Sequence, residues 1–228
     1  MRLFSFYLPM MKQEICPLCR SENTAEFLEI RDPHSDLKLY RKCPECRLVF
    51  LEPRFHLSPE EEKRRYDTHQ NSPEDSGYVN FLSRLTGPLT ERLTPGAAGL
   101  DFGCGPGPAL GIMLEKKGFS VENYDLYYFP DARLLERDYD FIACTEVMEH
   151  LRSPRAELEL FAKLLERRRG KLGIMTQMFV PGTDFSKWYY RLDPTHIAFY
   201  SYDTLNWIAE WLDWKLEFSA PNVAILNS

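Results

Sequence analysis

The sequence predicts an α/β protein with a small β domain at its front, on three observations. A glycine-rich run, Ala98-Gly-Leu-Asp-Phe-Gly-Cys-Gly-Pro-Gly-Pro108, reads as a strand, a tight turn and a helix start. Short apolar strands then alternate with helically spaced apolar faces, the order of a mostly parallel sheet, and the chain closes on two successive strands. Ahead of the glycines, four cysteines fall in two C-x-x-C pairs. The expected architecture is a Rossmann-like domain over 96–228, mostly parallel with a C-terminal antiparallel hairpin. It stands behind a cysteine-built β domain at 12–54 and a helical connector at 55–95.

At 228 residues the chain has room for one sizeable domain and a small one. Lys and Arg number 28 against 34 Asp and Glu, a net charge of -6 that supplies no general basic field for nucleic acid. No apolar run approaches the ~18 residues of a membrane-spanning helix, so no membrane partner is expected. Residues Met1–Met11 carry no small-residue cleavage site, which points away from secretion, and Met10 or Met11 is an alternative start. Two further cysteines, Cys104 and Cys144, stand singly, and cysteine usage of this kind suits a reducing, cytoplasmic compartment.

Cys16-Pro-Leu-Cys19 and Cys43-Pro-Glu-Cys46 are separated by 23 residues. Two such turns offer four thiolates to one ion, and tetrahedral Zn(II) with a closed, structural set of ligands is the expected occupant. Disulfides or a redox pair are the rival readings. Strand-like Phe27–Ile30, Leu37–Tyr40 and Leu48–Leu51 supply the three strands of a zinc ribbon. Ser58-Pro59-Glu60-Glu61 is a capping box with proline at the first helical position. The run that follows it is polar all round, the pattern of a solvated linker helix. Asn71 to Gly77 is turn-rich, and a second helix carries Tyr78, Phe81, Leu82 and Leu85 until Gly87-Pro88 interrupts it.

The glycine loop has a chemical signature of its own. Gly103, Gly105 and Gly107 leave room for a ligand against bare backbone. Pro106 and Pro108, however, lack the N–H donors that a dinucleotide pyrophosphate requires. A ligand with an amino acid and an adenosine but no phosphate does not need them, and Asp101 then stands near its ammonium end. After a helix bearing Leu110, Met113 and Leu114, the strand Phe119–Tyr124 closes on Asp125, where a ribose diol is usually gripped.

In these features the chain resembles the class I methyltransferases that bind S-adenosylmethionine, whose first motif is matched by Asp101, Gly103, Gly105 and Gly107. The resemblance covers roughly 96–228 and implies a seven-stranded sheet whose last strand is antiparallel. It implies cofactor contacts at Asp101, Gly103, Cys104, Gly105, Gly107, Asp125, Leu126 and Glu146. Many members also carry an acid-x-x-Glu-His-Leu run after the fourth strand, matched here within Cys144–Leu151, so Glu146, Glu149 and His150 are candidates to line the transfer site. A Glu-His pair also serves as ordinary helix-start polarity, and that reading stands beside the first. The third strand of the family and its adenine-contacting loop have no counterpart between Asp125 and Tyr139.

Cys144 reads as a buried structural thiol, since nothing near it in sequence would lower its pKa. A helix from Ser153 ends in Arg167-Arg168-Arg169, cations that complement its dipole or face RNA. Lys171–Thr176 is the fifth strand. Gln177–Tyr200, rich in aromatic residues, reads as a lid and acceptor-pocket wall, with His196 the candidate general base. A helix bearing Leu205, Ile208, Ala209 and Leu212 precedes the closing strands Trp214–Phe218 and Asn222–Leu226. The functional expectation is S-adenosylmethionine-dependent methyl transfer, with zinc in the ribbon and a small-molecule acceptor favoured over RNA. A non-catalytic zinc-ribbon adaptor and a nicotinamide dehydrogenase are the alternatives.

Overall fold

Alternation along the strands sends one set of apolar side chains to each face of a long sheet, and each face acquires its own helical layer. The computed structural model describes residues 14–31, 37–68 and 72–228. The alternative start at Met10 or Met11 and the turn residue Asn71 lie outside the described residues.

The chain begins with β1 (Ala25–Arg31), β2 (Leu37–Lys42) and β3 (Val49–Leu51), an antiparallel meander. Cys16 and Cys19 precede it, and Cys43 and Cys46 occupy the turn between its last two strands. The capping box forms as expected: Ser58 accepts from the Glu61 amide and Glu61 accepts from that of Ser58, opening α1 (Pro59–Tyr66). This helix is not a solvated linker, because Glu62 is buried and accepts hydrogen bonds from Tyr66 and Tyr127.

The second helix, α2 (Ser76–Thr90), runs through Pro88 rather than stopping before it. A proline in a helix interior costs about 3 kcal/mol. Here it falls in the last turn, and the ladder resumes with the Glu91 amide on the Gly87 carbonyl. Leu85 and Leu89, fully buried on either side of it, contribute about 1.5–3 kcal/mol each by burial, so packing outweighs the missing bond.

The remaining elements are β4 (Ala98–Phe102), α3 (Ala109–Glu115), β5 (Ser120–Tyr124), β6 (Phe141–Thr145), α4 (Pro154–Glu166), β7 (Lys171–Met175), β8 (Ala198–Phe199), α5 (Tyr202–Leu212), β9 (Lys215–Ala220) and β10 (Val223–Asn227). The main sheet has the order β5-β4-β6-β7-β10-β9. Its first four strands are parallel, and β10 runs antiparallel to both β7 and β9, as the closing hairpin predicts. Phe141, Ala143, Val223 and Ile225 turn to the face covered by α2 and α3, while Ile142, Cys144, Ala224 and Leu226 turn to that covered by α4 and α5. Among the described residues the sheet has six strands rather than seven. The span between Asp125 and Tyr139 holds only a single-turn 3-10 helix, Ala132–Glu136, having too few residues for a helix, a strand and a return.

The ribbon also departs from its expected form. Its sheet gains a fourth strand, because β8 from the aromatic connection pairs with β3, Val49 opposite Phe199. Tyr40, Phe185, Trp188 and Phe199 meet at this seam with ring centroids 5.0–6.0 Å apart. The aromatic residues expected to form a lid are thus mostly spent on holding the ribbon to the main domain. Cys16, Leu18 and Leu48 share one continuous core with Phe161 and Ile208.

Candidate active site

Strand order fixes where a ligand can enter. Chain direction diverges at β4, with β5 on one side and β6 on the other, and a crevice opens beyond the carboxyl ends of such strands. A cavity of about 940 Å³ lies there, reaching from the glycine loop to α1 and α2. Asp101, Gly103, Cys104, Gly105, Asp125, Leu126, Glu146 and His150 all line it. Gly107 lies outside the lining, and its carbonyl accepts from the Ala109 amide 2.7 Å away.

Gly103 has φ +78°, and a Cβ there would stand 2.3 Å from Cγ2 of Val147. Only glycine meets both demands, so the tight turn and the closure of the loop over Val147 rest on this residue. Asp125 receives three backbone amides on its carboxylate: Gly105 at 3.0 Å, Tyr127 at 2.8 Å and Tyr128 at 3.1 Å. The acid therefore ties the glycine loop to the turn after β5. Asp101 is 3 % exposed, and burial pushes its carboxyl up to about 7, with the nearby Asp125 adding to the effect. Among the described residues no cation is paired with it. A buried acid without a counter-ion at the edge of a cavity fits a ligand that brings an ammonium group.

A second cavity, of about 570 Å³, lies between α2, the ends of β7 and β10, and the aromatic connection. Phe81, Glu146 and His196 line both cavities, so the two adjoin at these side chains. Glu146 has φ +50°. Burial, then the neighbouring Glu149 carboxyl, push it up to about 9 against an opposing hydrogen bond from Tyr190, which leaves it protonated at neutral pH. Glu149 itself lines neither cavity: it is fully buried, with its carboxylate accepting from Tyr190 and, at 2.9 Å, from Thr176. Burial raises its pKa as well. It positions Tyr190 and Thr176 beneath the site rather than facing a ligand.

Both candidate histidines have one ring nitrogen committed to a backbone carbonyl. His196 Nδ1 lies 2.6 Å from the Tyr190 oxygen, and His150 Nδ1 lies 3.0 Å from that of Thr195. A carbonyl can only accept, so the neutral rings carry their proton on Nδ1 and a lone pair on Nε2. Burial lowers the pKa of His196 below its ordinary value. The two rings pack edge to face, 4.8 Å between centroids.

Several lining residues were missed by pattern reading. Tyr66 of α1 lines the larger cavity although its run reads as polar all round, whereas Tyr78 and Phe81 of α2 line it as a helix packed on the next domain and bordering its cleft would. Thr145 lines it too, with a buried hydroxyl that has no hydrogen-bond partner among the described residues. Cys144 is fully buried, and burial drives its thiol well above the ordinary range, as expected of an inert structural thiol. The basic run is neutralised in part: Arg167 pairs with Asp138 and Arg168 with Asp140.

At the ribbon, the sulfurs of Cys16, Cys19, Cys43 and Cys46 all lie within 4.8 Å of one another. The Cys16–Cys46 pair is 3.5 Å apart and the Cys19–Cys43 pair 3.4 Å. Zn–S bonds of about 2.3 Å in a tetrahedron require sulfur separations of about 3.8 Å, so the set fits the ion closely. All four are free thiols rather than disulfides.

Residues 58–217 match the sequence model of a methyltransferase domain. The chain belongs to this methyltransferase family. It is a class I S-adenosylmethionine-dependent methyltransferase of α/β fold, with a four-cysteine cluster in a separate antiparallel sheet near its N-terminus. Family membership disfavours both the dehydrogenase and the adaptor. A search of curated protein sequences finds no match. Among solved structures, a methyltransferase candidate from Bacillus halodurans is 18% identical, with 60% of this chain and 67% of that one covered and a TM-score of 0.49. The magnesium protoporphyrin IX methyltransferase of Synechocystis, solved with S-adenosylhomocysteine bound, is 18% identical over 75% of this methyltransferase and 94% of that chain, with a TM-score of 0.46. A TehB-like S-adenosylmethionine-dependent methyltransferase from Corynebacterium glutamicum is 18% identical over 75% and 100%, with a TM-score of 0.45. No helix among the described residues is long and apolar enough to cross a membrane.

Proposed function

We propose that this methyltransferase holds S-adenosylmethionine in the larger cavity and a small-molecule acceptor in the smaller, and that the methyl group passes where the two adjoin. The observation that carries the reading is the sharing of Phe81, Glu146 and His196 by both linings. A cavity of about 570 Å³ suits a compact molecule rather than a polynucleotide. The pairing of Arg167 and Arg168 with acids also speaks against an RNA-facing patch.

When bound, S-adenosylmethionine supplies an electrophilic methyl on a sulfonium sulfur. Asp101 would meet the ammonium end, Asp125 the ribose diol, and Gly103, Cys104, Gly105 and Leu126 the remaining contacts along the loop. Gly107 serves the turn alone. His196 Nε2 accepts the acceptor's proton, with Nδ1 anchored on Tyr190 so that the ring cannot turn away. His150 packs against His196 and fixes it from the other side. Glu146, kept protonated, donates a hydrogen bond at the junction without placing a second charge beside Asp101. Tyr66, Tyr78 and Phe81 exclude water from the reacting atoms.

Zn(II) on Cys16, Cys19, Cys43 and Cys46 is part of the same reading and has a structural role, since four thiolates leave no open position. The boundaries at 12–54, 55–95 and 96–228 describe the path of the chain, with β8 of the last unit completing the sheet of the first. Free thiols and a closed metal site suit the cytoplasm.

Calorimetric titration with S-adenosylhomocysteine tests the assignment. One saturable site is expected, weakened by about 1–3 kcal/mol in Asp125→Ala through loss of charge-assisted hydrogen bonds. Unchanged affinity in that variant would mean that the ribose lies elsewhere.

A further inference from the structure

The charges around the smaller cavity do not cancel. Arg65 is tied to Asp193 by a 2.6 Å ion pair. Burial works to raise the Asp193 carboxyl, but hydrogen bonds from Arg65 and Thr195 outweigh it and hold the group well below its usual range, so this pair contributes one charge of each sign. Glu146 and His196 are both held in their neutral forms near pH 7, as described above. The remaining lining cation is Arg84, which has no ion pair or hydrogen bond among the described residues and lies 5.6 Å from the centroid of the Phe81 ring. A cavity with a net positive charge thus stands in a protein whose own net charge is -6.

The arrangement also has direction. Arg84 is exposed on α2, whereas Glu146 and His196 are both half-buried where the cavities adjoin. Tyr189 and Leu192, 67% and 55% exposed, offer apolar surface to the same space. This place beside the Phe81 ring, with no hydrogen bond to the described residues, leaves the guanidinium N–H donors able to meet oxygen atoms. A guanidinium fork matches carboxylate and phosphate geometry, and such a contact is stronger than a neutral hydrogen bond.

We propose that the methyl acceptor is a small oxyanion, its carboxylate or phosphate gripped by Arg84 at the outer end of this cavity and its reacting atom lying against His196 and Glu146. The proposal rests on the two-cavity reading and adds the chemical class of the acceptor to it. An acceptor of this kind is amphipathic: its charged end meets Arg84, and its body covers Phe81, Tyr189 and Leu192.

The test uses the full chain with zinc present, first titrated with S-adenosylhomocysteine and then, in the saturated state, with benzoate, phenyl phosphate and neutral benzyl alcohol. Binding is followed by calorimetry and by saturation-transfer NMR. At least one of the two anions is expected to bind five times or more tighter than benzyl alcohol, with the better of them naming the anionic group. Arg84→Gln is expected to abolish this preference, Arg84→Lys to retain part of it, and neither to alter the affinity for S-adenosylhomocysteine. Raising the salt concentration should weaken the anions selectively, because Arg84 is exposed. Equal binding of all three probes, or an anion preference that survives in Arg84→Gln, would overturn the proposal while leaving the two-cavity reading intact. Failure of S-adenosylhomocysteine to bind would remove that reading and the proposal with it.

Discussion

His196 Nδ1 lies 2.6 Å from the carbonyl oxygen of Tyr190, and this contact decides which face of the imidazole can do chemistry. The proton sits on Nδ1, the less common tautomer of a neutral histidine, so the lone pair belongs to Nε2. Nitrogen-15 NMR of labelled protein should show His196 in that form at pH 7. Burial lowers its pKa from 6.5, so its titration midpoint should lie below pH 6.5, and methyl transfer should weaken over the same acid range as the base becomes protonated. Stability falls in that direction too, since the unfolded chain takes up the proton first. An Nε2–H tautomer at neutral pH would remove His196 as the base.

With S-adenosylmethionine held as proposed, Asp101 would link the pH dependence of stability to cofactor binding. Its carboxyl is raised from 3.8 to about 7 by burial. The stabilisation from holding that proton is therefore complete below pH 3.8 and is lost as pH rises through about 7. Asp101→Asn should flatten the fall in melting temperature between about pH 4 and pH 7, while lowering affinity for S-adenosylhomocysteine at pH 7.5 by about 1.5–3 kcal/mol, the worth of a hydrogen bond to a charged group. A variant that binds as tightly as the parent would place the ammonium elsewhere.

The four-cysteine site should behave as part of the whole molecule. Because β3 pairs with β8 and the two share a core with the main domain, Cys43→Ser is expected to release the metal and to lower one cooperative melting transition, rather than to unfold the ribbon alone. Elemental analysis and calorimetry read the two effects. Stoichiometric zinc retained in the variant would defeat the metal assignment, and two well-separated transitions would defeat the coupling.

Gly103→Ala should destabilise the protein by about 1–3 kcal/mol, since a left-handed backbone and a contact with Val147 are imposed together. Adding Val147→Ala relieves the contact alone, and the backbone strain should remain. Denaturant midpoints of the single and double variants measure both parts. A neutral Gly103→Ala would mean that the loop can relax without cost.

Much of the fold was legible in the chain because local rules specify it. The capping box at Ser58 and Glu61 forms as its spacing requires, the glycine loop turns where Gly103 allows φ of +78°, and the closing strands pair antiparallel. The cysteine spacing, likewise, brings four sulfurs together because each C-x-x-C turn is short enough to present both thiols on one side. Asp101 and Asp125 could be placed at the edge of the larger cavity in advance, since strand ends fix their position whatever packs around them.

Other features arise from contacts between distant segments, which no local pattern records. Helix α2 continues through Pro88 because Leu85 and Leu89 are buried against the sheet, and α1 ceases to be a linker because Tyr127 reaches Glu62 from 65 residues away. The aromatic connection reads as a lid and pocket wall from its composition; Tyr189 and Tyr190 do line the smaller cavity, while Phe185 and Phe199 close on Tyr40 and the backbone extends the ribbon sheet. Sequence alone determined the fold class, the loop and the four thiols, each set by neighbours along the chain. Only tertiary structure decided that Glu149 lies behind the site, that Arg84 is the unmatched charge and that two cavities adjoin at His196, because burial and pairing depend on which remote groups come to rest beside them.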